Sequence, residues 1–167
     1  MLGVLDKLAA IEEIKQLKAR YFRELDTKNW EGLNSIFATD AVFDLRAVNS
    51  VRGLSTGDFM PPLGGEDRVF RGRAAIVAMI RGAVESLITV HHGHTPEIEV
   101  TSQSTARGIV PMEDILRLSS GELVLHGFGH YHETYEKLGG RWQIKTSYLT
   151  RLFLAGAPLS IPGSVVE

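Results

Sequence analysis

Between residues 6 and 27, Leu8, Ile11, Ile14, Leu17, Tyr21 and Leu25 recur at three- and four-residue steps, which predicts an amphipathic helix. Lys7, Lys15, Lys18 and Arg20 are expected mostly on its other face. Asp26 stands apart. It projects beside Leu8 and Phe22, at the edge of the apolar stripe. It also falls in the last turn, where the helix dipole disfavours a carboxylate, so a specific partner is expected for it. Trp30, Leu33, Ile36 and Phe37 predict a second, short helix, and residues 41–46 alternate like a strand. Residues 49–69 are rich in glycine and proline and weakly periodic, and read as a long loop or flap. Gly72 opens a third helix, with Ile76, Met79, Ile80, Val84, Leu87 and Ile88 toward the core.

From residue 89 the period changes to two. Four long strands are predicted over 89–101, 105–118, 122–137 and 141–154, and the short turns between them make an antiparallel meander. Gly108, Pro111, Gly127 and Gly129 inside these strands predict bends or bulges. The expected fold class is therefore α+β, with three N-terminal helices packed on one face of a strongly curved sheet. Residues 1–154 are expected to form one domain and residues 155–167 an irregular tail.

Composition narrows the possible functions. The 167 residues are 44% hydrophobic and 23% charged, long enough to bury a real core. A net charge of -2 lends no support to nucleic-acid binding. No apolar run approaches the roughly 20 residues of a membrane span. The N-terminal residues do not read as a signal peptide, so a cytoplasmic protein is the default expectation. Cysteine is absent, which removes disulfides, thiolate metal sites and a cysteine nucleophile together.

The candidate chemistry lies in the second half of the chain. In His91-His92-Gly93-His94, strand alternation sends His91 and His92 to opposite faces, so the cluster does not converge on a metal. On the strand over 122–137, His126, His130 and His132 share one face with Phe128. The other face carries Gly127, Gly129, Tyr131, Glu133 and Tyr135, and the two glycines would leave space for a pocket beside the tyrosine. Asp114 lies among apolar strand residues, and Arg151 is a candidate to pair with it or with a substrate anion. No serine elbow, phosphate loop, dinucleotide fingerprint or zinc signature is present. Histidine, aspartate, tyrosine and arginine remain, the side chains of proton transfer without covalent attachment.

Several segments together resemble the SnoaL-like branch of the nuclear transport factor 2-like superfamily over about residues 6–154. They are residues 11–17 with Tyr21 and Asp26, Trp30 with residues 37–43, residues 72–76, 89–94, 127–131 and 140–144. The resemblance implies a cone-shaped α+β barrel with a deep apolar pocket between helices and sheet. It is similar to scytalone dehydratase through residues 25–30 and 89–91, which assigns an acid to Asp26 and a catalytic histidine to His91. Leu25 and Leu45 stand where that type has two tyrosines, which argues against scytalone as substrate. The bile-acid 7α-dehydratase pattern fits better: Tyr21, Asp26, His91, Asp114 and Arg151 stand in its order. The resemblance thus implies a cofactor-free, metal-free dehydratase or isomerase acting on an apolar polycyclic or aromatic-like molecule. Asp26, His91 and Tyr21 would be catalytic, and Tyr131, Asp114, Arg151 and His92 would bind substrate. A polyketide cyclase, an epoxide hydrolase or a non-catalytic binder of lipophilic ligands are the alternatives. The uncovered convex face of the sheet, with His126, Phe128, His130 and His132, predicts a homodimer or homotrimer.

Overall fold

The computed structural model describes residues 3–159. Helix α1 spans Val4–Asp26 and starts where the Gly3 N–H donates to the Asp6 carboxylate, an acid placed favourably at the positive end of the helix. Its inner side buries Ala10, Ile14, Leu17, Tyr21, Phe22 and Leu25. Leu8, expected in the stripe, is 57% exposed because the first turns of α1 carry few core contacts. The helix ends at Thr27, whose N–H bonds the Arg23 carbonyl, and Lys28 follows with a φ of 59°. Asn29 then caps α2 (Trp30–Asn34) by accepting from the Gly32 N–H.

Strand β1 covers Phe37–Asp44, starting earlier than the alternation of residues 41–46 predicts. Ile36 and Phe37 are buried as expected, but Phe37 belongs to the strand. The glycine-rich stretch over 49–69 is also less irregular than its composition suggests. It holds a hairpin of two short strands, β2 (Val51–Arg52) and β3 (Phe59–Met60), a 3-10 turn at Glu66–Arg68, and the start of β4 (Val69–Arg71). Helix α3 (Arg73–Val84) buries Ile76, Met79, Ile80 and Val84. Ile88, expected on this helix, instead opens β5 (Ile88–Gly93) and is exposed.

The strand expected over 89–101 is two strands. Residues 94–96 break it, and β6 (Glu97–Val100) resumes beyond Pro96, whose ring nitrogen has no hydrogen to give to a ladder. Both pieces pair antiparallel with β7 (Thr105–Arg117). Strands β7, β8 (Leu123–Leu138) and β9 (Arg141–Gly156) form the meander, and no helix interrupts it. The β8–β9 turn uses Gly139 and Gly140 at φ of 55° and 79°, values that match the two positive-φ positions of a tight hairpin.

The sheet runs β3-β2-β9-β8-β7-β5, with β1 also on β9 and β6 also on β7. It is mixed, because β1 and β2 lie parallel to β9. Register shifts on β7–β8 and at two places on β8–β9 mark bulges, which bend strands and increase twist. The result is an α+β fold in which three helices fill the concave side of a curved, open sheet. Strand β9 continues two residues past the expected end at Leu154. Of the expected irregular tail, residues 160–167 lie outside the described residues.

Candidate active site

Asp26 finds its partner across the fold on β5. Its Oδ1 lies 2.6 Å from His91 Nδ1, and its Oδ2 accepts the His91 backbone N–H at 2.8 Å. One residue thus grips both carboxylate oxygens. The Thr89 hydroxyl donates a third hydrogen bond to Oδ1 at 2.9 Å. The Phe22 ring lies nearly parallel to the imidazole, 12° between planes, and helps hold it. The side chains are 6% exposed for His91 and 22% for Asp26. Burial pushes the Asp26 carboxyl up, but the hydrogen bonds and charge of His91, with Thr89, outweigh it and hold the group below its usual range. An ionised carboxylate only accepts, so His91 Nδ1 carries the proton of the bond to Asp26, and Nε2 makes no hydrogen bond among the described residues.

That balance has a pH signature. Asp26 binds its proton less tightly folded than unfolded, so it adds stability above the unfolded carboxyl range near about pH 4. The contribution is lost as pH falls through the lower folded value. Urea unfolding between about pH 3 and 6 is expected to show a steeper acid loss in the wild type than in Asp26→Asn. Parallel slopes for the two proteins would contradict this assignment of charge.

His91 opens onto a cavity lined by Tyr21, Leu25, Phe43, Met79, Tyr131 and Leu149, among others. Its room is about 60 Å³, well below the roughly 300 Å³ at which ligand pockets usually begin. A ring-sized ligand therefore enters only if the walls part. One wall is Leu159, whose backbone N–H and carbonyl are both held by the Asn49 side-chain amide, at 2.9 and 3.0 Å. Larger grooves, such as the one of about 670 Å³ along β6 to β9, contain neither Asp26 nor His91.

The two tyrosines expected at the site meet edge to face, with ring centroids 5.9 Å apart. Burial pushes both phenols up, with each other's proximity adding to it for Tyr21 and the Asp114 charge for Tyr131. Both are therefore neutral donors near neutral pH. Beneath them lies a group that the periodicity misplaced. Lys18, expected mostly with the solvent-facing cations, is buried. Its Nζ donates to Glu133 at 2.8 Å and sits 3.9 Å from the Tyr131 ring centroid and 4.2 Å from that of Tyr21. Burial lowers its pKa while Glu133 opposes the shift. Glu133 also accepts from Tyr135 and Ser147, so the buried charge is well satisfied. The signal was present: Lys18 is four residues from Ile14, three from Tyr21 and seven from Leu25.

Asp114 stands directly opposite His91 in the β5–β7 ladder. Its two oxygens accept from Arg151 Nη1 and Nη2 at 2.6 and 2.8 Å, and Arg151 Nε donates to the Val48 carbonyl at 3.0 Å. Their side chains are 7% and 1% exposed. The guanidinium is thereby committed to protein partners, so bracing of Asp114, rather than capture of a substrate anion, is the geometry present. Gly127 makes it possible, because a Cβ there would fall 2.5 Å from both partners. The space expected beside this glycine is thus occupied by the ion pair. His92 does not reach the cavity. Alternation turns it to the convex face, where its side chain is 55% exposed and lies 3.3 Å from Glu113, so the fold does not bring it to the cavity with the other expected site residues.

Among the described residues no group of three or more histidines and carboxylates is arranged to hold a metal, and no helix is long and apolar enough to cross a membrane.

Helices packed in the hollow of an open, strongly curved sheet, with a part-buried Asp–His pair at an apolar cavity, place the protein among the small cone-shaped α+β folds. Residues 6–148 match the SnoaL-like domain, and the chain belongs to that family. Among solved structures it is similar to a protein assigned as a scytalone dehydratase from Novosphingobium aromaticivorans, at 20% identity and TM-score 0.71, over 92% of this chain and 91% of that one. It is similar to the hexachlorocyclohexane dehydrochlorinase LinA-type3 of Novosphingobium barchaimii, at 19% identity and TM-score 0.70, over 99% and 100% of the two chains. A third likeness is to Rv3472, a protein of unknown function from Mycobacterium tuberculosis, at 22% identity and TM-score 0.66, over 87% and 77%. At these identities the likeness establishes a shared fold.

Proposed function

We propose that this protein is a lyase of the dehydratase kind, working by general acid–base chemistry on a small apolar carbonyl compound. The observation that carries the reading is the Asp26–His91 pair, with Nε2 free, at a cavity that also presents two neutral phenols. His91 removes a proton from the carbon next to the carbonyl. Asp26 holds the imidazole in orientation and stabilises it once it is charged. Tyr21 or Tyr131 donates to the oxygen as it becomes an enolate. The electron pair then expels a hydroxyl from the neighbouring carbon, and the proton on His91 leaves with it as water. Such proton transfer is worth about 10²–10⁴-fold, and orientation in a dry cavity supplies the rest. Two proteins of the same fold bear names of elimination enzymes, a dehydratase and a dehydrochlorinase, which agrees with this chemistry.

The test separates the two halves of the reaction. Ring ketones without a leaving group, incubated in D2O, are expected to exchange the hydrogen beside the carbonyl in the presence of the protein. Their β-hydroxy counterparts are expected to lose water, read by mass spectrometry. Binding of such ketones without exchange would favour a non-catalytic binder.

The convex face supports self-association. Phe128 and Phe153 are exposed there, 6.1 Å apart between centroids, with His126 beside Phe128. A homodimer or homotrimer would cover them, and sedimentation showing only monomer at micromolar concentration would exclude it.

A further inference from the structure

The Asp26 carboxylate is approached from behind by a chain of hydrogen bonds that the acid–base mechanism does not use. Lys28, in left-handed conformation just past α1, donates from Nζ to Thr89 Oγ1 at 2.7 Å. Thr89 Oγ1 donates to Asp26 Oδ1 at 2.9 Å. Lysine can only donate, and a hydroxyl carries one proton. With Lys28 occupying a lone pair of the hydroxyl, that one proton is aimed at Asp26. Thr89 is only 5% exposed, so water has little access to compete for it.

We propose that Lys28 is a positioning residue, which through Thr89 fixes the Asp26 carboxylate in the orientation that meets His91. The proposal rests on the acid–base reading above and adds the device that holds its dyad in place.

The charges around the dyad leave this role to Lys28. From α1, Tyr21 faces the site and is neutral, while Glu24 near the helix end is paired with Arg23. From β7 comes Asp114, matched by Arg151 of β9. From β8 come Tyr131, neutral, and Glu133, matched by Lys18. Helix α3 lines the cavity with the apolar Met79, Ile80, Ala83 and Val84. On β5, His92 and its neighbour Glu113 lie on the opposite face. Lys28 is the cation at the site whose hydrogen-bond partner is a hydroxyl. It is half-buried: desolvation lowers its pKa, and the Asp26 charge, acting through space, opposes the shift.

Carboxyl-13C NMR of the Asp26 side chain reads this directly and needs no substrate. In Lys28→Met, which keeps the length of the side chain, the Asp26 titration midpoint is expected to rise by about half to one pH unit at low salt. The shift should shrink as salt is added. Lys28→Arg should keep most of the wild-type midpoint. Thr89→Val should raise the midpoint as well, and combining it with Lys28→Met should give less than the sum, because both break one chain. His91→Ala should raise it too, since the imidazole is the principal partner holding the carboxyl down. A response to His91→Ala with none to Lys28→Met overturns the positioning role alone. No response to His91→Ala overturns the dyad, and with it the proposed function.

Discussion

His91→Ala is expected to abolish turnover to the level left by binding and orientation alone, a loss of about 10²–10⁴-fold in kcat/KM. Among the described residues that line the cavity, the imidazole is the base not held by a cation, since Asp114 is paired with Arg151, while Asp26 accepts from His91 and Thr89. Asp26→Asn should fall as far, for a different reason. The amide keeps the shape of the carboxylate, but its NH2 can donate to Nδ1, which then must accept, and the proton moves to Nε2 where the base is needed. The two changes together should cost little more than either alone, because the residues work as one unit. Exchange of ketone hydrogens in D2O and loss of water from β-hydroxy ketones give two independent rates for the comparison. Near-wild-type exchange in either single variant, or losses that multiply in the double variant, would contradict the dyad.

Removing one member of the Asp114–Arg151 pair should be among the most damaging changes to stability. Arg151→Met leaves a carboxylate beside the cavity with no cation. Asp114→Ala leaves a guanidinium at a site where its side chain is 1% exposed. Breaking a buried pair in this way costs about 3–5 kcal/mol. For a domain of this size each kcal/mol lowers Tm by roughly 2–4 °C. Replacing both partners, as Asp114→Leu with Arg151→Met, should recover much of the loss, because neither charge is then stranded. Thermal unfolding followed by circular dichroism reads all three. If the double replacement is as unstable as the worse single one, packing around Val48 and Met112, which Arg151 also touches, carries the effect instead.

The helices and the meander were legible because their signals are local. Period 3.6 over residues 6–27 and period 2 after residue 89 follow from backbone geometry, which neighbours in the chain already specify. The same alternation sorted the inner and outer faces of β8 correctly, with Tyr131, Glu133 and Tyr135 inward and His132 outward. Legibility failed where long-range pairing overrides local pattern. The β2–β3 hairpin is recruited into the sheet by β9, and composition alone reads as a loop. Phe153 shares parity with Leu149 and Arg151, yet a bulge opposite Phe128 and Gly129 carries Leu152 out of register and leaves Phe153 on the convex face.

The sequence by itself determined which residues could share a face, and that His91 and His92 could not. It also marked Asp26 as a carboxylate in need of a partner. Which histidine turns inward was settled only when α1 packed on β5, because alternation is blind to which face of a strand becomes the inside. The same packing took Lys18 out of solvent, since an amphipathic stripe has no fixed edge until another surface meets it. The pairing of Asp114 with Arg151, distant in sequence, and the narrowness of the cavity between them and His91 belong to tertiary structure alone. Both depend on the register of four strands and on how closely Leu159 and α3 close over them, quantities that no local pattern of residues encodes.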